Sequence, residues 1–178
     1  MDLRTERTKR SITTAFLELR KQKPLEKITV KELSELAFIN KATFYTHYRD
    51  IYDLADQMEN EFMESIIEEL PHPESIITDP ALATRELAEA LISKSDISNI
   101  LFSGSRQSYL SDKLHIALMN YITSKYPEEE MEIHRKIVLS IIIQGCFHAY
   151  QTFANDTNRD EVTEIIGKVG ACLKTNFL

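Results

Sequence analysis

Apolar positions recur at intervals of three and four along almost the whole chain, the spacing that places them on one face of a helix. Ile12, Ala15, Phe16 and Leu19 form such a stripe over residues 8–22, with Arg and Lys on the opposite side. Lys21-Gln22-Lys23-Pro24 ends it, because proline cannot continue a helix interior. Thr29-Val30-Lys31-Glu32 has the form of a capping box, in which the hydroxyl caps the helix and Glu32 reaches back to the cap N–H. Leu33, Leu36 and Ala37 are then the buried stripe. Asn40 is a good N-cap for a helix from Lys41 to about Tyr48. Asp50 caps a fourth helix over residues 51–70, with Leu54, Ala55, Met58, Phe62, Ile66 and Ile67 on one side.

Pro71-His72-Pro73 interrupts the pattern. It resumes at Asp79-Pro80, a cap followed by proline at the first helical position, with Leu82, Leu87, Leu91 and Ile92 as the apolar lining. A short helix over 97–102 stops at Ser103-Gly104, and another over 109–125 turns Leu110, Leu114, Ala117, Leu118, Tyr121 and Ile122 inward. Pro127 opens a long helix over 128–155, and the last covers 160–175 with Val162, Ile165, Ile166, Val169 and Leu173. No segment has the two-residue alternation of a strand. The pattern predicts an all-α protein of about nine helices: an N-terminal three-helix head over 1–50, a connecting helix over 51–70, and a larger helical domain over 71–178.

Composition agrees, since 178 residues with four Gly, five Pro and 43% apolar residues suit a helical protein with a full core. Charge changes the picture more. The net charge is −7, yet residues 1–50 hold eleven Lys/Arg against seven Asp/Glu, or +4, leaving −11 for the rest. A basic head on an acidic body is the asymmetry expected when one end meets phosphates. Arg4, Arg7, Lys9 and Arg10 form either a basic arm or a solvated helix start. Cys146 and Cys172, the only cysteines, belong to no C-x-x-C pair and read as small buried hydrophobes. His134 and His148 stand fourteen apart without a companion motif, so no metal or other cofactor is expected. The opening MDLRTERTKRS has no apolar segment of the kind a secretion signal requires. The most apolar run, Ile137 to Tyr150, is interrupted by Ser140, Gln144 and His148 and falls short of the roughly 18–20 residues of a membrane span. A cytoplasmic protein without a membrane partner is the expectation; Asn155-Asp156-Thr157 is then a chance match to a glycosylation sequon.

The two short helices between Thr29 and Asp50, with a tight break between them, have the layout of a helix-turn-helix. The second must hold phosphates and present a few side chains to base edges. Lys41 at its first turn reaches a guanine edge or a phosphate; Ala42 and Thr43 offer a methyl for thymine and a hydroxyl. Tyr45 and His47 end in polar atoms suited to phosphate oxygens, and Thr46 meets either. Lys31 on the preceding helix reaches base or backbone. Phe44 and Tyr48, four apart, point into the head's core. A plain surface helix explains Phe44 and Tyr48 but not Lys, Thr, Tyr, Thr and His within seven residues.

At these residues, about 8–56, the chain resembles the TetR family of bacterial regulators. The resemblance lies in the capped helix with Leu33, the turn Phe38-Ile39-Asn40-Lys41, the run Ala42-Thr43-Phe44-Tyr45-Thr46-His47-Tyr48, and Arg49-Asp50. It implies a homodimer that binds a palindromic double-stranded DNA operator, usually as a repressor, and releases it when a small molecule enters the C-terminal domain. It also implies DNA contacts at Lys31, Lys41, Thr43, Tyr45 and His47. Two positions depart from the family. Glycine is usual where Phe38 stands, and a non-glycine residue in the left-handed conformation costs about 1 kcal/mol or more, so a differently shaped turn is expected. Lysine is usual where Ile51 stands; Ile51 cannot make its phosphate contact, which leaves Arg49 to compensate or the contact unmade.

For the body, the last two helices are apolar on more than one side. A two-fold interface through Ile141, Ile142, Gly145, Ile165, Ile166 and Val169, with Gly145, Gly167 and Gly170 permitting close helix approach, is the expected use. Polar or aromatic residues on apolar helices are the effector-pocket candidates: Phe102, Tyr109, His115, Tyr121, Gln144, His148 and Tyr150. The effector's identity is open, and a partner protein in its place fits the same layout, as does an activator. A helical enzyme or small-molecule carrier is the alternative of another class. No nucleophile–base pair, phosphate loop or metal motif favours it, so a non-enzymatic protein is expected.

Overall fold

A computed structural model describes residues 3–125, 133–155 and 157–177. Every regular element among them is helical. Ten α-helices follow in order: α1 (Leu3–Gln22), α2 (Val30–Leu36), α3 (Lys41–Tyr45), α4 (Ile51–Glu68), α5 (Ser75–Thr78), α6 (Pro80–Ser93), α7 (Ser95–Leu101), α8 (Tyr109–Lys125), α9 (Ile133–Phe153) and α10 (Arg159–Phe177). Single 3₁₀ turns lie at Leu25–Lys27 and Gly104–Arg106. The protein is all-α, and the short α5 is the helix the periodicity did not predict. The expected opening of α9 at Pro127 lies outside the described residues. No helix among the described residues is long and apolar enough to cross a membrane.

Side-chain caps set the starts of four helices, with Asp50 Oδ1 accepting from Asp53 N at 2.8 Å at the head of α4. Thr29 Oγ1 accepts from Glu32 N at 3.2 Å, Asn40 Oδ1 from Thr43 N at 2.7 Å, and Asp79 Oδ1 from Ala81 N and Leu82 N at 3.1 Å each. The box at Thr29 is one-sided, however. Glu32 does not reach back; its carboxylate takes Lys23 Nζ at 2.5 Å, because a full cation stabilises it more than a neutral N–H does.

The chain folds as two compact units, the first Met1–Phe62 with Ser95–Tyr109, the second Met63–Lys94 with Leu110–Leu178. The division therefore falls inside α4, and the head is larger than residues 1–50. Two buried charges account for the returning segment. Arg20, on the side of α1 that the pattern assigns to solvent, is only 5% exposed. Its Nη2 donates to Ile100 O, Leu101 O and Ser103 O at 3.0, 3.3 and 3.2 Å and to Ser103 Oγ at 2.6 Å, closing the carbonyl end of α7. Glu59 on α4 is fully buried and holds Arg106. Around them Ile12, Phe16, Leu33, Phe44 and Leu54 form the apolar core of this unit, each contributing about 1.5–3 kcal/mol by leaving water.

In the second unit α10 packs on α6 at close range. A Cβ at Gly167 would overlap Ala81 Cβ and stand 2.9 Å from its Cα, and one at Gly170 would stand 2.7 Å from Pro80 Cβ. This contact sets which side of α6 is inside. Pro80, Ala83, Glu86 and Ala88 are buried, whereas Leu82, Leu87 and Leu91 are half-buried and Ile92 is exposed, contrary to the predicted lining. Where α10 comes close, α6 presents Pro80 and Ala81, small enough to permit the approach, and Glu86 is turned in to meet His72. Leu114, Ala117, Leu118 and Ile122 of α8, Leu139 and Ile142 of α9 and Ile166 of α10 are buried apolar residues of these helices.

Candidate nucleic-acid interface

The α2–turn–α3 unit is built from a cap, a left-handed turn and an aromatic anchor. Leu33 and Ala37 are buried, so α2 is anchored by them, while Leu36, expected inside, is exposed because α2 ends there. At the turn Phe38 N donates to Glu35 O at 3.3 Å and Ile39 N to Ser34 O at 3.0 Å, the paired bonds of a Schellman ending. Phe38 adopts φ 56°, so the left-handed turn is kept although no glycine is present, and the expectation of another shape is overturned. The two backbone bonds hold Phe38 in that region despite its Cβ.

The α3 helix is shorter than predicted. It ends at Tyr45, and His47 N and Tyr48 N both donate to Phe44 O, at 2.9 and 3.0 Å. Phe44 is fully buried, and Tyr48 is buried with its ring 5.7 Å from that of Phe44. Burial, then the charges of Glu61 and Asp53, pushes the Tyr48 hydroxyl up to about 12. With these two inward, Lys41, Ala42, Tyr45 and Thr46 point to solvent and Thr43 and His47 lie half-buried at its edges. Tyr45 is 57% exposed, its ring edge against Phe44 at 5.5 Å. Thr43 Oγ1 donates to Asn40 Oδ1 at 3.0 Å, so its proton is committed and it offers outward a methyl and an acceptor lone pair. Thr46 Oγ1 donates to Thr43 O at 2.6 Å. Lys31 is exposed beside Glu35, 4.0 Å away.

From Leu36 to Arg49 the sequence has no carboxylate, against Lys41 and Arg49 as cations. Ile51 is buried, which explains why no cation stands there. Arg49 is largely solvated, but its Nη2 donates to Asp53 Oδ1 at 3.1 Å and its backbone N–H to Asp53 Oδ2 at 2.9 Å. Those bonds, the backbone one first, hold the Asp53 carboxyl below its ordinary value. Arg49 can turn to a phosphate only by leaving that carboxylate.

The effector candidates fall in both units. Phe102 and Tyr109 belong to the first unit and the other five to the second. Phe102 is buried against Phe62, ring centroids 6.1 Å apart, and Tyr109 lies exposed with Arg106 over its ring at 4.0 Å. In the second unit Gln144 and His148 are exposed, Tyr121 is half-buried, and His115 Nε2 lies 3.0 Å from Ser140 Oγ. The Tyr150 hydroxyl is buried without a hydrogen-bond partner among the described residues, and burial raises its pKa. A cleft of about 530 Å³ in the first unit, between α1 and α7, is lined by none of the seven. Helical spacing gives a residue's face on its own helix, not which neighbour that face meets.

The interface candidates divide. Ile141, Ile165 and Val169 are just over half exposed and Gly145 is open, whereas Ile142 and Ile166 are buried within the unit. Gly167 and Gly170 serve the α10–α6 contact rather than an outer face. Cys172, expected inside, is exposed, and Cys146 is half-buried with its thiol pKa raised by desolvation. Sequence reading missed the exposure of Phe38 and the burial of Arg20, Glu59 and Arg106.

Compared with known proteins, the chain matches no family model, no curated protein and no solved structure.

Proposed function

We propose that this chain is a sequence-specific DNA-binding transcriptional regulator of the TetR type, without enzymatic activity. It acts as a homodimer on a palindromic operator, as a repressor released by a small-molecule effector. The observation that carries the reading is α3: Phe44 and Tyr48 anchor it inward, so Lys41, Ala42, Tyr45 and Thr46 stand outward on a stretch, Leu36 to Arg49, that holds no carboxylate. Such a short helix, held by its aromatics, fits a major groove, with Lys41 and Thr43 at base edges and Tyr45 and His47 at phosphates. Lys31 adds a cation from α2.

Support for the dimer comes from α9 and α10. Ile137 and Ile141, one turn apart, and Ile165 and Val169, likewise one turn apart, each expose more than half of their surface. An apolar face of that kind is the complement of a second copy, and a two-fold pair presents α3 twice to the two halves of a palindrome. Support for an effector in the second unit is the Tyr150 hydroxyl, buried and without a hydrogen-bond partner among the described residues, the kind of polar atom a ligand satisfies.

The test is selection of bound genomic fragments by the purified protein, followed by titration at several salt concentrations. Affinity should fall steeply with salt. Tyr45→Ala should weaken binding to all sequences, whereas changes at Lys41 or Thr43 should alter preference at one base pair by about 1–3 kcal/mol. Unchanged binding in all three variants, or a protein indifferent to duplexes at low salt, would sink the reading.

A further inference from the structure

Phe38 combines two unfavourable circumstances, against which the chain sets only the two backbone bonds of the turn. Its φ of 56° is a conformation glycine adopts freely and other residues adopt at a cost. Its side chain is 94% exposed, the highest exposure among the exposed large hydrophobic residues. A residue kept in a strained backbone position normally has packing to hold it there; this ring stands in water. Strain of this kind gathers where a chain meets something else.

Position indicates what that is. Phe38 lies two residues before Asn40, the cap of α3, and three before Lys41. The turn it occupies leads into α3, and the stretch following it, to Arg49, carries Lys41, Ala42 and Thr43 without a carboxylate. A partner of that stretch is an anion with an apolar feature near the helix start. In a DNA major groove the one apolar feature among the base edges is the thymine 5-methyl group.

We propose, resting on the DNA-binding reading above, that Phe38 is a specificity-determining residue whose ring packs on a thymine methyl beside the base pairs faced by Lys41 and Thr43. The ring adds an apolar contact that glycine at this position lacks, and it selects thymine at one place in each half-site.

The experiment titrates wild type and Phe38→Gly at one salt concentration against an operator recovered by fragment selection. It repeats the titrations on duplexes in which each thymine in turn is replaced by deoxyuridine, which removes only the methyl. For wild type, one replacement per half-site should lower affinity about fourfold, the scale of one methyl-sized group withdrawn from water. Phe38→Gly should bind the unmodified operator more weakly and show no further loss at that same replacement. Phe38→Gly binding as tightly as wild type would overturn the proposal, and so would a Phe38→Gly loss that is the same with and without every methyl. In both cases wild type still binds in a salt-dependent manner, so the DNA-binding reading stands. Wild type that binds no duplex sinks that reading, and this inference with it.

Discussion

Arg106 lies against Glu59 inside the first unit, its Nε donating to Glu59 Oε1 at 2.7 Å and its Nη2 to Oε2. Glu59 is fully buried and Arg106 nearly so, and the bond from Glu59 raises the guanidinium's pKa. Two desolvated charges satisfied by a fork are tolerated only as a pair. The pair joins α4 to the turn that follows α7, so a stretch distant in sequence becomes part of the unit that holds α3.

Removing the carboxylate should therefore cost far more than an exposed pair would. Glu59→Ala should destabilise the protein by about 3–5 kcal/mol, read from urea unfolding, because Arg106 is left charged and buried. Asp56, 3.6 Å from Arg106 but half-exposed, is too solvated to substitute. Replacing both partners by apolar residues of similar volume should recover most of the loss. An unfolding midpoint unmoved by Glu59→Ala would show the pair to be dispensable.

Two glycines should answer the same substitution oppositely. Gly167→Ala forces its Cβ onto Ala81, whose backbone cannot yield, and should cost about 1–3 kcal/mol in thermal unfolding. Gly145→Ala meets nothing within 4 Å and should stabilise by up to about 1 kcal/mol through helix propensity. A comparable loss for Gly145→Ala would mean that this face of α9, open within one copy, is covered by a second.

His72 should make stability pH-dependent. Its Nδ1 lies 2.6 Å from Glu86 Oε1, its backbone N–H donates to Oε2 at 3.3 Å, and Glu74 adds negative field. The hydrogen bond with Glu86, then its charge, raises the imidazole pKa above 6.5. The folded state thus binds the proton more tightly than the unfolded. The stabilisation is complete below pH 6.5 and is lost as pH rises through the higher folded value. The gap in melting temperature between wild type and His72→Ala should narrow from roughly pH 6 to roughly pH 9. A constant gap would show that folding leaves the imidazole's proton affinity unchanged.

Adjacent residues of α3 should separate folding from binding. Phe44→Ala empties a fully buried site and should cost about 3–5 kcal/mol of stability. Tyr45→Ala removes a largely exposed ring and should leave stability within about 0.5 kcal/mol while weakening DNA binding. Circular dichroism melts alongside titrations decide it: a large drop in melting temperature for Tyr45→Ala would place its role in packing.

Much of this protein was legible one helix at a time. The stripe Ile12, Ala15, Phe16 and Leu19, the caps Thr29, Asn40 and Asp79, and the inward pair Phe44 and Tyr48 all stand where spacing put them. Each depends on interactions within a few residues, and local backbone geometry is what a linear pattern encodes. What only the folded chain decided is long-range. Ser95–Tyr109 joins the head because Arg20 and Glu59, apparent surface charges, found buried partners about eighty and forty-seven residues away. The α6 helix holds Ala83 and Glu86 inside while Leu82 and Leu91 stay half-buried, with α10 close on Pro80 and Ala81 at Gly170 and Gly167 and Glu86 held by His72. Periodicity states that a helix has an apolar side; which neighbour covers it, and whether a charge is better satisfied inside, is settled only when distant segments meet.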